Sequence, residues 1–178
     1  MMKSFISIGW LLSITLLWST ACAQGEAQQI CVNPKFDKKV ANTLSHTVDF
    51  ISPAKLAQIK QSAFVLDTRE QEEYDISHIP NAHYASYSDF DITPFLSLPR
   101  DTTLVVYCSI GYRSEKIGEQ LLEAGFSKVF NLYGSLFEWA NQNYPLEDKE
   151  GNTTNKVHTY NKKWSQWVDD NGKLVKIW

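Results

Sequence analysis

The sequence predicts an α/β domain with a central parallel sheet flanked by helices, followed by a tryptophan-rich C-terminal extension. Short β-type runs alternate with helical spacings along residues 47–146, the order in which βαβ units build a parallel sheet. One run, Leu104-Val105-Val106-Tyr107, is apolar at every position, as a central strand covered on both faces must be. Hydrophobic residues make up 43% of the chain and aromatics 13%, so apolar surface is ample and intrinsic disorder is excluded. The formal charge is −3 and no basic run occurs, which argues against nucleic acid as a partner. Cys22, Cys31 and Cys108 are too scattered for a disulfide framework or a zinc site, and neither a metal nor a cofactor is expected.

Residues 1–23 read as an export signal. Lys3 is the sole charge, an apolar stretch runs from Phe5 to Trp18, and the small residues Ser19, Thr20, Ala21 and Ala23 follow. That stretch falls short of the roughly 18 apolar residues that a transmembrane helix needs, so cleavage is expected over a retained anchor. Ser19-Thr20-Ala21-Cys22 resembles a bacterial lipobox, which implies that Cys22 is lipidated and becomes the mature terminus. Ala21-Cys22-Ala23 also fits the small-x-small rule of ordinary signal peptidase, which would release a soluble protein starting at Gln24. The expectation is a periplasmic or outer cell-envelope protein that touches the membrane only through a lipid anchor. Residues 24–46 are then a polar tether and an N-terminal helix, with Phe36, Val40 and Leu44 spaced by four over 34–44.

Residues 47–51 form a short β-type run. Ser52-Pro53-Ala54 opens a helix through Lys60, with Ser as cap, Pro in the first turn, and Leu56 and Ile59 on one face. Phe64-Val65-Leu66 is a buried strand ending at Asp67. Residues 74–99 are broken by Pro80, Asn81, Pro94 and Pro99 and read as irregular. The strand Leu104–Tyr107 runs straight into Cys108. A helix follows from about Ser114, with Ile117, Leu121 and Leu122 on one face and Gly125 as its stop. A strand at 129–132, Tyr133-Gly134 and a helix around 136–143 complete the domain. Residues 147–156 lack any apolar side chain and read as a linker. The extension, 157–178, carries Trp164, Trp167 and Trp178, with a turn signal at Asp170-Asn171-Gly172. Leaving three tryptophans exposed is costly, so the extension is expected to fold back onto the domain; a partner-docking surface is the alternative.

Cys108-Ser109-Ile110-Gly111-Tyr112-Arg113-Ser114 joins the central strand to a helix, the position where ligands bind in open α/β sheets. Such a loop can curl so that its backbone N–H groups converge, and together with the helix N-terminus they favour an anion. Cys108 at its base is therefore expected to have a lowered pKa, and the thiolate is the nucleophile. Gly111 permits a backbone conformation that a Cβ forbids, and Arg113 offers a permanent fork-shaped charge. The alternative is a buried cysteine closing a strand as a small hydrophobe. The residues by themselves reach a reactive cysteine in an anion-binding loop and no further.

The chain resembles the rhodanese family, in particular its single-domain members. The matching residues are Val65-Leu66-Asp67-Thr68-Arg69, Glu73-Tyr74, Ser77-His78-Ile79-Pro80-Asn81-Ala82, the loop with its strand from Val106 to Ser114, and Leu132-Tyr133-Gly134 with Trp139. Their order spans about residues 48–146. The resemblance implies a rhodanese-like fold and a sulfurtransferase in which Cys108 accepts a sulfane sulfur as a persulfide. Ser109, Ile110, Gly111, Tyr112, Arg113 and Ser114 match the loop that cradles that sulfur. It implies structural roles for Asp67 and Arg69, and a loop-holding hydrogen-bonding role for His78. The implied partners are a small sulfur-donor anion such as thiosulfate or polysulfide, a thiol or cyanide acceptor, and in some settings a protein persulfide. Ser77, Asn81 and Ser135 stand where the family's motifs usually have glycine; Asn81 tolerates a left-handed backbone, whereas the turn at Ser135 is left open.

Two rival functions are weighed against this. Phosphatases on the same fold place five residues between Cys and Arg; here Ser109, Ile110, Gly111 and Tyr112 are four, a contracted pocket suited to one sulfur atom. Non-catalytic binding modules of the family typically lack the cysteine, which is present here.

Overall fold

A computed structural model describes residues 29–169 and 172–178. The signal at 1–23 and the lipidation candidate Cys22 lie outside the described residues, as do Asp170 and Asn171 of the C-terminal turn signal.

Five parallel strands form the central sheet: β1 (Phe50–Ile51), β2 (Phe64–Asp67), β3 (His83–Tyr84), β4 (Thr103–Tyr107) and β5 (Lys128–Leu132), in the order β1-β5-β4-β2-β3. In β4, Leu104 and Val106 point to one face and Val105 and Tyr107 to the other, and all four are fully buried. This two-sided burial explains the continuous apolar run. One face is covered by α4 (Tyr112–Glu123), whose Ile117 and Leu121 pack with Leu104, Val106 and Val129. The other is covered by α1 (Pro34–Ala41), α2 (Pro53–Ile59) and α5 (Ser135–Asn141), through Phe36, Val40, Leu56 and Leu136.

Local chemistry sets the helix starts. Asn33 caps α1, its side-chain oxygen accepting from the amides of Lys35 and Phe36 at 2.9 and 3.3 Å. Ser52 caps α2 by accepting from Lys55 N at 3.2 Å, with Pro53 in the first turn. Gly125 ends α4 at φ +91°.

The region expected to be irregular, 74–99, is more ordered than its turn signals suggest. It contains the second half of α3 (Gln71–Ile76), the edge strand β3 and a short 3-10 turn at Thr93–Phe95. At six residues, α3 is under two turns, too short to print a 3.6-residue period.

The stretch expected to be a linker is corrected too. Leu146–Glu147 (β6) pairs antiparallel with Thr153–Thr154 (β7), and Asp148 closes the turn by accepting from the amides of Glu150 and Asn152. A hairpin turn held by polar side chains needs no apolar residue, which is why composition suggested a linker. Beyond it, β8 (Lys156–His158) pairs parallel with β9 (Val175–Ile177). Val157 and Val168 are buried in the core, and Trp167 stacks on Phe36 at 5.7 Å. Asn141 clamps this segment, donating to Trp167 O at 2.9 Å and accepting from Asp169 N at 2.8 Å. Trp164 and Trp167 pack against the core, whereas Trp178 is exposed.

Candidate functional site

The carboxyl end of β4 delivers Cys108 to the floor of a cleft of about 810 Å³, at the N-terminus of α4. The helix begins at Tyr112, so the expected seven-residue loop is a four-residue turn, Cys108 to Gly111, plus the first helical turn. Gly111 has φ +116°, and a Cβ there would sit 3.0 Å from the side chain of Leu44. Both constraints select glycine. The turn aims the Gly111 N–H at Cys108 Sγ, 3.2 Å away.

Burial alone would push the Cys108 thiol up. The Arg113 charge and the amides of Ser114, Gly111 and Ile110 more than offset it, and the pKa lies below its ordinary value. The loop backbone is held from outside as well. Leu136 N and Phe137 N donate to Cys108 O and Ser109 O at 3.1 and 3.2 Å, and Cys108 N donates to Ser135 Oγ at 3.2 Å. Asn131 donates to Gly111 O at 2.9 Å, and its side-chain oxygen lies 2.7 Å from the Ser114 hydroxyl.

The residues picked from the sequence divide into three groups. Cys108, Ser109, Ile110, Tyr112 and Arg113 line the cleft. Gly111 and Ser114 contribute backbone amides beside the sulfur, and the Ser114 side chain is buried under the turn. Asp67, Arg69 and His78 lie off the cleft lining. Arg69 is fully buried and donates to Asp67 through Nε at 2.9 Å and Nη2 at 2.6 Å, with Nη2 also 2.6 Å from Ser77 O. This pair ties the end of β2 to the segment after α3. His78 stacks on Tyr74 at 3.8 Å and places Nδ1 3.0 Å from Tyr74 O, while its backbone pairs with Glu147.

Arg113 departs from its expected role. Its fork is occupied: Nη1 and Nη2 donate to Glu73 Oε2 and Oε1 at 2.8 and 3.0 Å, and Nη2 also reaches Ser109 Oγ at 3.0 Å. Glu73 is itself buried, which opposes its ionisation, but the hydrogen bonds and charge of Arg113, with Arg69 behind, lower its pKa below the ordinary value. An Arg113 that is matched by Glu73 neutralises the site locally and braces the loop against α3. The Glu73-Tyr74 motif was the only trace of this partner in the sequence.

Three further contributions come from the C-terminal extension. His158 approaches Glu73 Oε1 at 3.9 Å, and Tyr160 lies 6.0 Å from the Arg113 guanidinium, with Trp164 beside it on the cleft wall. Ser135, Asn131 and this wall had no motif of their own as site residues. The turn at Ser135 is left-handed, φ +52°, following Gly134 at +70°. A Cβ at Gly134 would lie 2.5 Å from that of Glu138, so glycine is required there, whereas Ser135 tolerates its conformation by bonding Cys108 N and Leu132 O through its hydroxyl. Among the described residues, no group of His, Cys, Asp and Glu could hold a metal ion, and no helix is long and apolar enough to cross a membrane.

Comparison with known proteins bears on this geometry. The sequence signature of the "Rhodanese-like domain" family matches residues 52–142, just over half of the chain. A probable adenylyltransferase/sulfurtransferase MoeZ of Mycobacterium tuberculosis is 37% identical over 82 residues, covering 46% of this chain and 21% of that protein. A tRNA uridine(34) hydroxylase of Streptococcus pyogenes is 33% identical over 113 residues, 57% of this chain and 33% of that one. The chain thus spans a third or less of the length of these curated relatives. The crystal structure of a thiosulfate sulfurtransferase from Pseudomonas aeruginosa shares the fold, with a TM-score of 0.52 at 20% identity over 68% of this chain and 23% of that one.

Proposed function

The chain belongs to the rhodanese-like domain family, and from that premise we propose that it is a sulfurtransferase working through a persulfide on Cys108. The Cys108 thiolate attacks the sulfane sulfur of a donor such as thiosulfate or polysulfide. The donor's sulfur–sulfur bond breaks, its remainder leaves with the bonding pair, and Cys108 carries one added sulfur. A thiophilic acceptor, a thiol or cyanide, then attacks that outer sulfur and releases the Cys108 thiolate. Loop amides that face a thiolate also face the negative charge of a persulfide, so both resting forms are stabilised by one set of donors. The observation that carries this reading is the Gly111 N–H aimed at a cysteine of lowered pKa on the floor of an open cleft. Intact-mass measurement after incubation with thiosulfate or benzenethiosulfonate should show one sulfur added, removable by cyanide and absent in Cys108→Ser. A folded protein whose Cys108 stays unmodified with every donor would overturn it in favour of a binding module.

For its location, we propose export and lipid anchoring at Cys22, supported by the signal-like leader and the lipobox resemblance. Wild type expressed in a bacterium should partition with membranes and carry acyl mass, and Cys22→Ala should not. Soluble wild type beginning at Gln24 would rule the anchor out.

A further inference from the structure

We infer that the cleft above Cys108 selects organic sulfur donors of low negative charge, whose apolar or cationic body lies on an aromatic wall, over the inorganic dianion thiosulfate; this rests on the sulfurtransferase reading above. Two observations carry it. The first is the wall: Tyr112 at the start of α4, Tyr87 from the segment after β3, and Tyr160 and Trp164 from the C-terminal extension all line the cleft. Its roughly 810 Å³ far exceeds what a single sulfur or a small inorganic anion fills. Aromatic faces favour apolar and cationic groups through stacking and the ring quadrupole.

The second is the charge balance. Glu70 and Glu72 line the cleft, and Arg113 is the one cationic side chain in that lining among the described residues. Its fork is taken by Glu73, and Nη1 is also 3.9 Å from Glu70 Oε1. Lys39 sits 5.4 Å from the Trp164 ring, outside the lining. The amide nest therefore serves the reacting sulfur, while the rest of a donor meets carboxylates and rings. A second negative charge on the donor is unmatched there.

Thiosulfonates test this because all react alike. Cys108–S⁻ attacks the outer sulfur of R–SO2–S⁻, a new sulfur–sulfur bond forms, the S–SO2R bond breaks, and the sulfinate R–SO2⁻ leaves with the electron pair. No proton moves, and Cys108 ends as Cys–S–S⁻. Loading rates would be measured by rapid-quench mass spectrometry for thiosulfate, the methanethiosulfonate monoanion, zwitterionic 2-aminoethanethiosulfonate and benzenethiosulfonate. Each is divided by the same donor's rate with N-acetylcysteine, which removes differences in intrinsic reactivity.

The normalised rate should rise roughly tenfold for each unit of net negative charge lost, from thiosulfate (−2) through methanethiosulfonate (−1) to the zwitterion (0), and the spread should shrink at high salt. Benzenethiosulfonate should exceed methanethiosulfonate by roughly three- to tenfold through stacking. Glu72→Gln should narrow the charge spread, and Tyr160→Ala should remove the benzene advantage. A flat series, or thiosulfate at its top, would overturn the donor class while leaving the sulfurtransferase intact. No loading by any donor would overturn the sulfurtransferase itself.

Discussion

Two buried cysteines with opposite surroundings make the residue scale explicit. Cys108 faces amides and Arg113, which lower its pKa against the effect of burial. Cys31 is buried beside the carboxyls of Glu138 and Asp37, and burial first, then those charges, push its thiol far up. Alkylation by iodoacetamide should therefore label Cys108 with a midpoint below that of a small free thiol measured alongside it, its rate rising with pH to an earlier plateau. Cys31 should stay unlabelled until the protein is denatured; peptide mass spectrometry resolves the two sites. Arg113→Met should move the Cys108 midpoint upward. Glu73 supplies a linked stability effect. Its folded-state pKa is lowered, so its contribution is complete above the ordinary carboxylate range and is lost as pH falls through the folded value. Glu73→Gln should thus cost on the order of 1–3 kcal/mol in denaturant unfolding at pH 7, because it breaks a bidentate pair, and the difference should shrink at acid pH.

At the scale of elements, the site depends on how α5 abuts the cysteine loop. The Ser135 hydroxyl satisfies Cys108 N from inside a left-handed turn, and the first free amides of α5 take the loop carbonyls. Ser135→Ala keeps the backbone strain and strands a buried N–H, which should cost about 1–3 kcal/mol. Ser135→Gly strands the same N–H but relieves about 1–2 kcal/mol of left-handed strain, so it should be the milder variant. Thermal unfolding of the two variants side by side decides this; an Ala variant as stable as the Gly variant would mean that the left-handed backbone at this turn carries no strain. The Asp67–Arg69 pair works at the same scale, holding β2 to the segment beyond α3 without entering the cleft.

For the whole molecule, the C-terminal extension is part of the domain's architecture. Val157, Thr159 and Val168 are buried, Trp167 stacks on Phe36, and the same segment brings Tyr160 and Trp164 to the cleft. Stability and site shape are therefore coupled. Trp167→Ala should cost on the order of 2–4 kcal/mol in urea unfolding, somewhat below the value for a fully buried ring because Trp167 is only partly buried. The sulfur-loading rate should fall with organic donors more than with thiosulfate, since the loss loosens the aromatic wall. An unchanged unfolding midpoint would mean that the extension packs without contributing to the fold.

The sequence by itself determined the elements whose signals are local. The apolar run of β4, the Ser52-Pro53 start of α2, the glycine stop of α4 and the spacing of Cys108, Gly111 and Arg113 are all patterns within a few residues. They sufficed to place Cys108 at a strand end and, with the other motifs, to match the chain to a family. Only the tertiary structure decided which partner Arg113 takes, because Glu73 stands 40 positions away on a helix too short to show a period. It alone decided that residues 146–154 form a hairpin, that Ser135 adopts a glycine-like turn, and that the extension walls the cleft. The physical reason is common to all of these. Periodicity and capping are short-range effects of backbone geometry, whereas ion-pair choice, tolerated strain and wall packing depend on groups that meet only after the chain has closed on itself.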